Sequence, residues 1–217
     1  MSKELILNRI KEARAKHAIQ GANPIYRNII KVEFEDLVEE YKHFQVLNKA
    51  EVIESAKENL EQAILKALEN FKSKKVLHST DLNLNLNLNL NFEAFKDFTL
   101  QPYDKEIEAM REELFEIDTA LLHGVCGISS LGMIGAVSSH ASPRLLSLIT
   151  LNCIILLKKE SIVRNLSEGI QALKNQSKNG VLPTNMLLIG GPSRTADIEL
   201  KTVFGVHGPQ KVAIILY

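Results

Sequence analysis

The residues best suited to chemistry crowd into one span near the carboxyl terminus, GGPSRTADIELKTVFGVHGP, from Gly190 to Pro209. It holds four glycines, two prolines, one arginine, one histidine and two carboxylates. Gly190 and Gly191 allow a backbone to approach a ligand closely, and exposed amides in such a turn can receive a phosphate or a carboxylate. Arg194 can offer an oxyanion two parallel hydrogen bonds, with the hydroxyls of Ser193 and Thr195 beside it. His207, set between Gly205 and the Gly208-Pro209 turn, belongs to the side-chain type that exchanges protons near neutral pH. Asp197 and Glu199 point the same way on a strand and diverge on a helix, and either can hold Arg194 or His207 in place. The ligand-binding expectation is therefore Gly190, Gly191, Ser193, Arg194, Thr195, Asp197 and His207, with no catalytic residue assigned. An architectural reading stands beside it: the glycines and prolines turn the chain, and the polar groups pin the last strand. No Walker lysine follows the glycines, and no dinucleotide fingerprint is present.

Other reactive groups are scattered. None of the six histidines falls in an HExxH or other compact metal spacing, so no metal is expected in this chain. Cys126 has His123 three residues before it, but its apolar setting and the lack of an orienting acid favour a buried thiol. Cys153 sits in NCIILL and reads the same way, as a reduced core residue. His140 follows two serines in a loop-like segment, and His17 and His43 lie in charged, solvated stretches.

With 26 basic and 26 acidic side chains, the net charge is zero, which gives no support for nucleic-acid binding. Charges interrupt the amino-terminal segment, so it does not read as a signal peptide. The most apolar window, LLSLITLNCIILL, falls short of the roughly 20 residues that span a bilayer and contains Asn152. The expectation is a cytoplasmic protein without a membrane span.

The elements that must position these groups divide the chain in two. Residues 1–72 read as a helical region packed on the core, with periodicity in ELILNRIKEARAKHA, FEDLVEEYKHFQVL and NKAEVIESAKENLEQAILKALENF. Asn48 is placed to cap the last of these, with Glu51 in the reciprocal position. LNLNLNLNL, Leu82 to Leu90, alternates like a half-buried strand or serves as a low-complexity connector. FTLQPYD reads as a loop leading into a charged helix. Residues 73–217 form the α/β core, with strands in GMIGAVSS, NCIILLKK, NMLLIGG and KVAIILY and a helix in SIVRNLSEGIQALKN. Met186 to Ile189 is expected to be buried, emerging into the Gly190 turn at a strand's carboxyl end. Together these predict one α/β domain with helices on both faces of a sheet.

The ending GGPSRTADIELKTVFGVHGPQKVAIIL resembles the carboxyl-terminal signature of the LUD-domain family, particularly its LutC/YkgG-type lactate-utilisation proteins. HGVCGISSLGMIGAVSS, RLLSLITLNCIIL and LPTNMLLI follow the same order of segments. The resemblance is most specific at the end, looser over residues 120–217, and weak in the helical half. It implies a three-layer α/β/α core similar to the NagB/RpiA/CoA-transferase-like fold, carrying an amino-terminal helical region. It also implies a part in oxidising L-lactate to pyruvate, as an accessory or non-redox subunit beside iron–sulfur proteins. Iron–sulfur clusters, with flavin as a further option, are then expected in the partners and none in this chain.

Two positions depart from the family pattern. Where relatives carry Gly-Ala-Asp, this chain has His123-Gly124-Val125, and where they carry Ala-Glu-Thr-Gly it has Ser129-Ser130-Leu131-Gly132. Val125 and Ser130 thus stand in place of two carboxylates. An autonomous enzyme or binding module for a small phosphorylated or carboxylated metabolite is the alternative function, and a structural scaffold is a third. The sequence leaves open whether the chain forms a homo-oligomer.

Overall fold

The computed structural model describes residues 2–17, 34–82, 92–196 and 202–217. The chain separates into two units, residues 1–31 and 32–217. In the first, α1 (Lys3–His17) is a helix whose residues 3–16 are all exposed, Leu5, Ile6, Leu7 and Ile10 included.

The second unit begins with α2 (Leu37–Leu47), β1 (Glu51–Glu54), α3 (Leu60–Phe71), β2 (Lys75–His78) and β3 (Thr99–Pro102). It continues through β4 (Thr119–His123), β5 (Cys126–Ile128), β6 (Met133–Val137), β7 (Asn152–Leu157) and β8 (Ile162–Val163). It closes with α4 (Leu166–Lys174), β9 (Met186–Ile189), β10 (Arg194–Ala196), β11 (Thr202–Phe204) and β12 (Lys211–Leu216).

Six of these strands form one sheet in the order β1-β12-β7-β4-β2-β3, and every neighbouring pair is parallel. Parallel strands buried on both faces carry apolar residues without a break, as in NCIILL and KVAIIL. Ile155, Leu157, Ile214 and Leu216 enter one layer; their sequence neighbours Ile154, Leu156, Ala213 and Ile215 enter the other. All eight are buried, and truncating one of the isoleucines to alanine costs about 2–5 kcal/mol.

Helix α3 covers the second face because Leu60, Ile64, Ala67, Leu68 and Phe71 recur at helical spacing. The first face packs against Tyr41 of α2 and against Ile134 and Ile162 of a second sheet, ordered β8-β5-β6-β9. This second sheet is mixed: β5 runs parallel to β8 and antiparallel to β6, and β6 is antiparallel to β9. Strands β10 and β11 form a separate hairpin. The second unit has a three-layer α/β/α-type fold.

Several local readings change. Asn48 closes α2 rather than opening a helix: its N–H reaches the carbonyls of Phe44 and Val46. Lys49, at φ 68°, then turns the chain into β1. Val52 and Ile53 face opposite layers there, and parallel pairing with β12 outweighs a helical continuation. Strand β3 occupies the stretch read as a loop, and β2 arises just past the helical region. In SIVRNLSEGIQALKN, Ile162 and Val163 pair with β5 before the helix begins. Asn165 caps that helix by accepting from Glu168 N at 3.0 Å, while Glu168 Oε2 accepts from Arg164 N at 2.9 Å. Most of the Leu-Asn repeat lies outside the described residues; Leu82, its first residue, is buried beside α3.

Candidate functional site

A parallel sheet gathers the carboxyl ends of its strands on one edge, where ligands of α/β proteins collect. Here that edge carries a cleft of about 950 Å³. Asp81 enters it just after β2, and His123 enters it as the last residue of the adjacent β4. Their side chains meet, with His123 Nε2 3.3 Å from Asp81 Oδ2. Both are largely buried, with side-chain exposures of 14% and 12%.

Burial alone would raise the Asp81 carboxyl, but the hydrogen bond and charge of His123 outweigh it and hold the group below its ordinary 3.8. His78, one strand-end earlier, is driven below its ordinary 6.5 by burial, and its Nδ1 lies 2.9 Å from Ser79 O. The backbone fixes this corner: Ser79 N donates to Leu121 O at 3.1 Å, and Thr80 N to Ala141 O at 2.8 Å.

The loop after β6 supplies the opposite wall through Ser138, Ser139, His140 and Ser142. Ser139 Oγ accepts from Ser142 N at 3.0 Å, and Ser138 Oγ accepts from Arg144 N at 3.2 Å. Lys158, immediately after β7, and Lys178, beyond α4, add positive charge. Gly124 lets the chain leave β4 into tight packing, since a Cβ there would lie 2.7 Å from Ile134 Cγ2. The arrangement can hold an anion with hydroxyl groups, and a carboxylate-oriented imidazole beside it can move a proton.

The residues singled out in the carboxyl-terminal span lie elsewhere. Strand β9 is partly exposed and antiparallel to β6, so it is not a buried strand of the parallel sheet and its end is not on the carboxyl edge. The turn after it meets the amino end of β12 instead. Ser193 N donates to Pro209 O at 2.8 Å, Gly205 N to Ser193 O at 3.0 Å, and His207 N to Ser193 Oγ at 3.3 Å. Ser193 and His207 are thus brought together, by the backbone amide rather than the imidazole.

Gly191 adopts φ +89° and presses against Asn48 O, which a Cβ would approach to 2.5 Å. Arg194, exposed at the start of β10, donates through Nη2 to Gly190 O at 3.4 Å, and Thr195 sits opposite Val203 in the hairpin. None of Gly190, Gly191, Ser193, Arg194, Thr195 or His207 lines the cleft. Asp197 and Glu199 lie outside the described residues.

No local spacing marks Asp81, Lys158 or Lys178 as site residues, and His123 stands in the sequence beside Gly124 and three residues before Cys126. The available signal was KVLHSTD, an apolar run ending in polar groups. Cys126 is buried, its Sγ lies 3.7 Å from Gly169 O, and burial pushes its thiol up, which leaves it a core residue. Val125 lines the cleft, whereas Ser130 is buried and its N donates to Arg164 O at 3.2 Å. Among the described residues no group of three or more His, Cys, Asp or Glu side chains could hold a metal ion. Nor is any described helix long and apolar enough to cross a membrane.

A parallel sheet between covering layers, with a cleft at its carboxyl edge, defines an α/β protein. The LUD domain matches residues 38–217, and the chain belongs to the LUD-domain family. Its homology is of the LutC type. It is 25% identical over 226 residues to lactate utilization protein C of Halalkalibacterium halodurans, covering 99% of this chain and 96% of that protein. The protein of the same name from Oceanobacillus iheyensis is 22% identical over 207 residues, covering 94% and 88%. An uncharacterized protein of Neisseria meningitidis serogroup B is 29% identical over 220 residues, covering 99% and 92%. Among solved structures, a DUF162 family protein from Deinococcus radiodurans shares the fold with a TM-score of 0.58 at 21% identity, covering 83% of this chain and 95% of that one.

Proposed function

We propose that this chain is an accessory, non-redox component of a system oxidising L-lactate to pyruvate, working beside iron–sulfur proteins. The observation that carries the reading is similarity, over 94% and 99% of the chain, to two proteins named lactate utilization protein C. The chain's own chemistry agrees with a non-redox part. Its two cysteines, both buried free thiols, fall short of an ordinary four-cysteine cluster site. Electron transfer then belongs to partners, through iron–sulfur clusters and, as an option, flavin.

The cleft of Asp81, His123, Lys158 and Lys178 is suited to hold an anionic metabolite while partners carry out the oxidation. Its position on the carboxyl edge of a parallel sheet supports a kinship with the NagB/RpiA/CoA-transferase-like fold. Deleting the gene while its neighbours stay expressed should lower lactate-dependent oxygen uptake; unchanged uptake removes the required role. A tagged pull-down under oxygen-free conditions should retain the iron–sulfur partners.

A second reading puts an anion at the corner of Gly190, Gly191, Ser193, Arg194, Thr195 and His207, on the observation that the Arg194 guanidinium is exposed and held by a long bond to a carbonyl. Asp197 belongs to the same proposal by its place in the sequence.

A further inference from the structure

An open sheet ends in strands whose outer backbone groups lack a neighbour, and proteins guard such edges with charge, proline or shortness. The two larger sheets end in β1, β3, β8 and β9. On β1, Glu54 pairs with Lys42 at 2.6 Å and with Lys159 at 3.0 Å. Strand β3 ends in Pro102, and β8 is two residues long. Strand β9 has no such guard, being Met186, Leu187, Leu188 and Ile189.

The register shows which of its groups are open. Ser138 N donates to Asn185 O at 3.0 Å, so Asn185 turns its backbone groups toward β6. By the alternation of an antiparallel ladder, Leu187 and Ile189 do the same, and Met186 and Leu188 turn their N–H and C=O the other way. Among the described residues no strand or backbone group meets them there. Met186 and Leu188 are 39% and 42% exposed, and Val181 and Leu182, a few residues before, are exposed as well.

Charge narrows what can cover this edge. From Asn179 to Ser193 the chain has no ionisable side chain. A charged partner segment finds no complement in that stretch, whereas an identical strand meets no like charge. The strand also complements itself. Turned about a two-fold axis through Leu187, Met186 of one copy lies opposite Leu188 of the other. Those are the residues with open backbone groups, so each such pair can exchange both of its N–H···O bonds.

We propose that β9 is a dimerisation edge. Two copies pair their β9 strands antiparallel about Leu187, which joins their mixed sheets into one continuous sheet. The contact is isologous, so it consumes the edge and closes at two copies. Pro183 and Thr184, just before the strand, line the carboxyl-edge cleft, so the second copy stands beside that wall.

Sedimentation velocity of the full chain from about 1 to 500 µM tests the association, which should be half complete at about 1–100 µM because a strand contact is small. Met186→Pro removes an outward N–H and spares the bonds to β6, as an edge position allows. It should weaken the dimer at least about tenfold. Leu188→Lys places the usual guard on the edge and should do the same. Both variants should melt within about 4 °C of the wild type.

Cysteine cross-linking reads the register and needs neither edge variant to fold. On the axis, Leu187 faces its own copy as a non-hydrogen-bonded pair with Cα atoms about 4.5 Å apart, within disulfide reach. Leu187→Cys should therefore cross-link on oxidation. Leu188→Cys is offset from its own copy by more than about 7 Å and should not. The native Cys126 and Cys153 are buried and do not compete.

A chain that stays monomeric at about 500 µM overturns the proposal, since even a small strand contact is expected to associate below that concentration. A dimer of unchanged affinity in both folded edge variants uses another surface and overturns it too. So does a Leu187→Cys protein that cross-links no faster than the Leu188→Cys protein. Doubled mass, its loss in the edge variants and selective cross-linking at Leu187 support the paired edge.

Discussion

Asp81 Oδ2 stands 3.3 Å from His123 Nε2 where the neighbouring strands β2 and β4 end. The pair closes one wall of the cleft, and its electrostatics extend to the stability of the fold.

Acid should destabilise the protein in two steps. His78 is held below its ordinary 6.5 in the folded state, so the unfolded chain takes up that proton first. Stability therefore falls as pH drops from about 6.5 toward the folded value, by the linkage of proton binding to unfolding. Asp81 is held below 3.8, so its contribution is full above that value and is lost as pH falls through the lower folded value. Urea denaturation from pH 8 to pH 3 checks both. His78→Gln should flatten the first step and Asp81→Asn the second; unchanged profiles would contradict the assignments.

Asn48 joins three segments. Its Nδ2 donates to Leu131 O and Gly132 O, both at 2.9 Å, and its own carbonyl packs on Gly191. Asn48→Ala should cost about 1–3 kcal/mol by leaving these partly buried carbonyls unmet. Gly191→Ala should cost more than Gly180→Ala, because both occupy positive φ but only Gly191 faces a backbone contact at 2.5 Å. Denaturation midpoints of the three variants give the order.

Arg194 is exposed, so Arg194→Ala should change stability by less than about 0.5 kcal/mol. If the corner holds an anion, affinity for inorganic phosphate falls in the order wild type, Arg194→Lys, Arg194→Ala, since lysine keeps the charge and loses the fork. Equal affinities in all three make the turn architectural.

Both thiols should resist modification in the folded protein. Cys126 and Cys153 are 1% exposed, and burial pushes the Cys153 thiol up to about 12. Labelling with a chromogenic disulfide at pH 8 should wait for unfolding in guanidinium, when both react together. Fast labelling of native protein would place one of them at an open surface.

The parts written in local sequence were legible. NCIILL and KVAIIL are continuous apolar runs, as strands buried on both faces require, and the stripe from Leu60 to Phe71 could only face a core. The carboxyl-terminal turn was visible through glycines whose positive φ the structure then displays at Gly191 and Gly205. Val52 and Ile53 misled, because a short apolar pair inside a charged stretch suits a helix and an edge strand equally, and only the partner strand β12 decides.

The cleft was hidden for a related reason. Asp81 and His123 lie 42 residues apart and meet because β2 and β4 pair side by side, a long-range register that no local spacing encodes. Local sequence determines which segments can be strands, helices or turns, through side-chain shape and periodicity. Which strand ends share an edge, and therefore which polar groups face one another, is set by the order in which the sheet's strands pair across the whole chain.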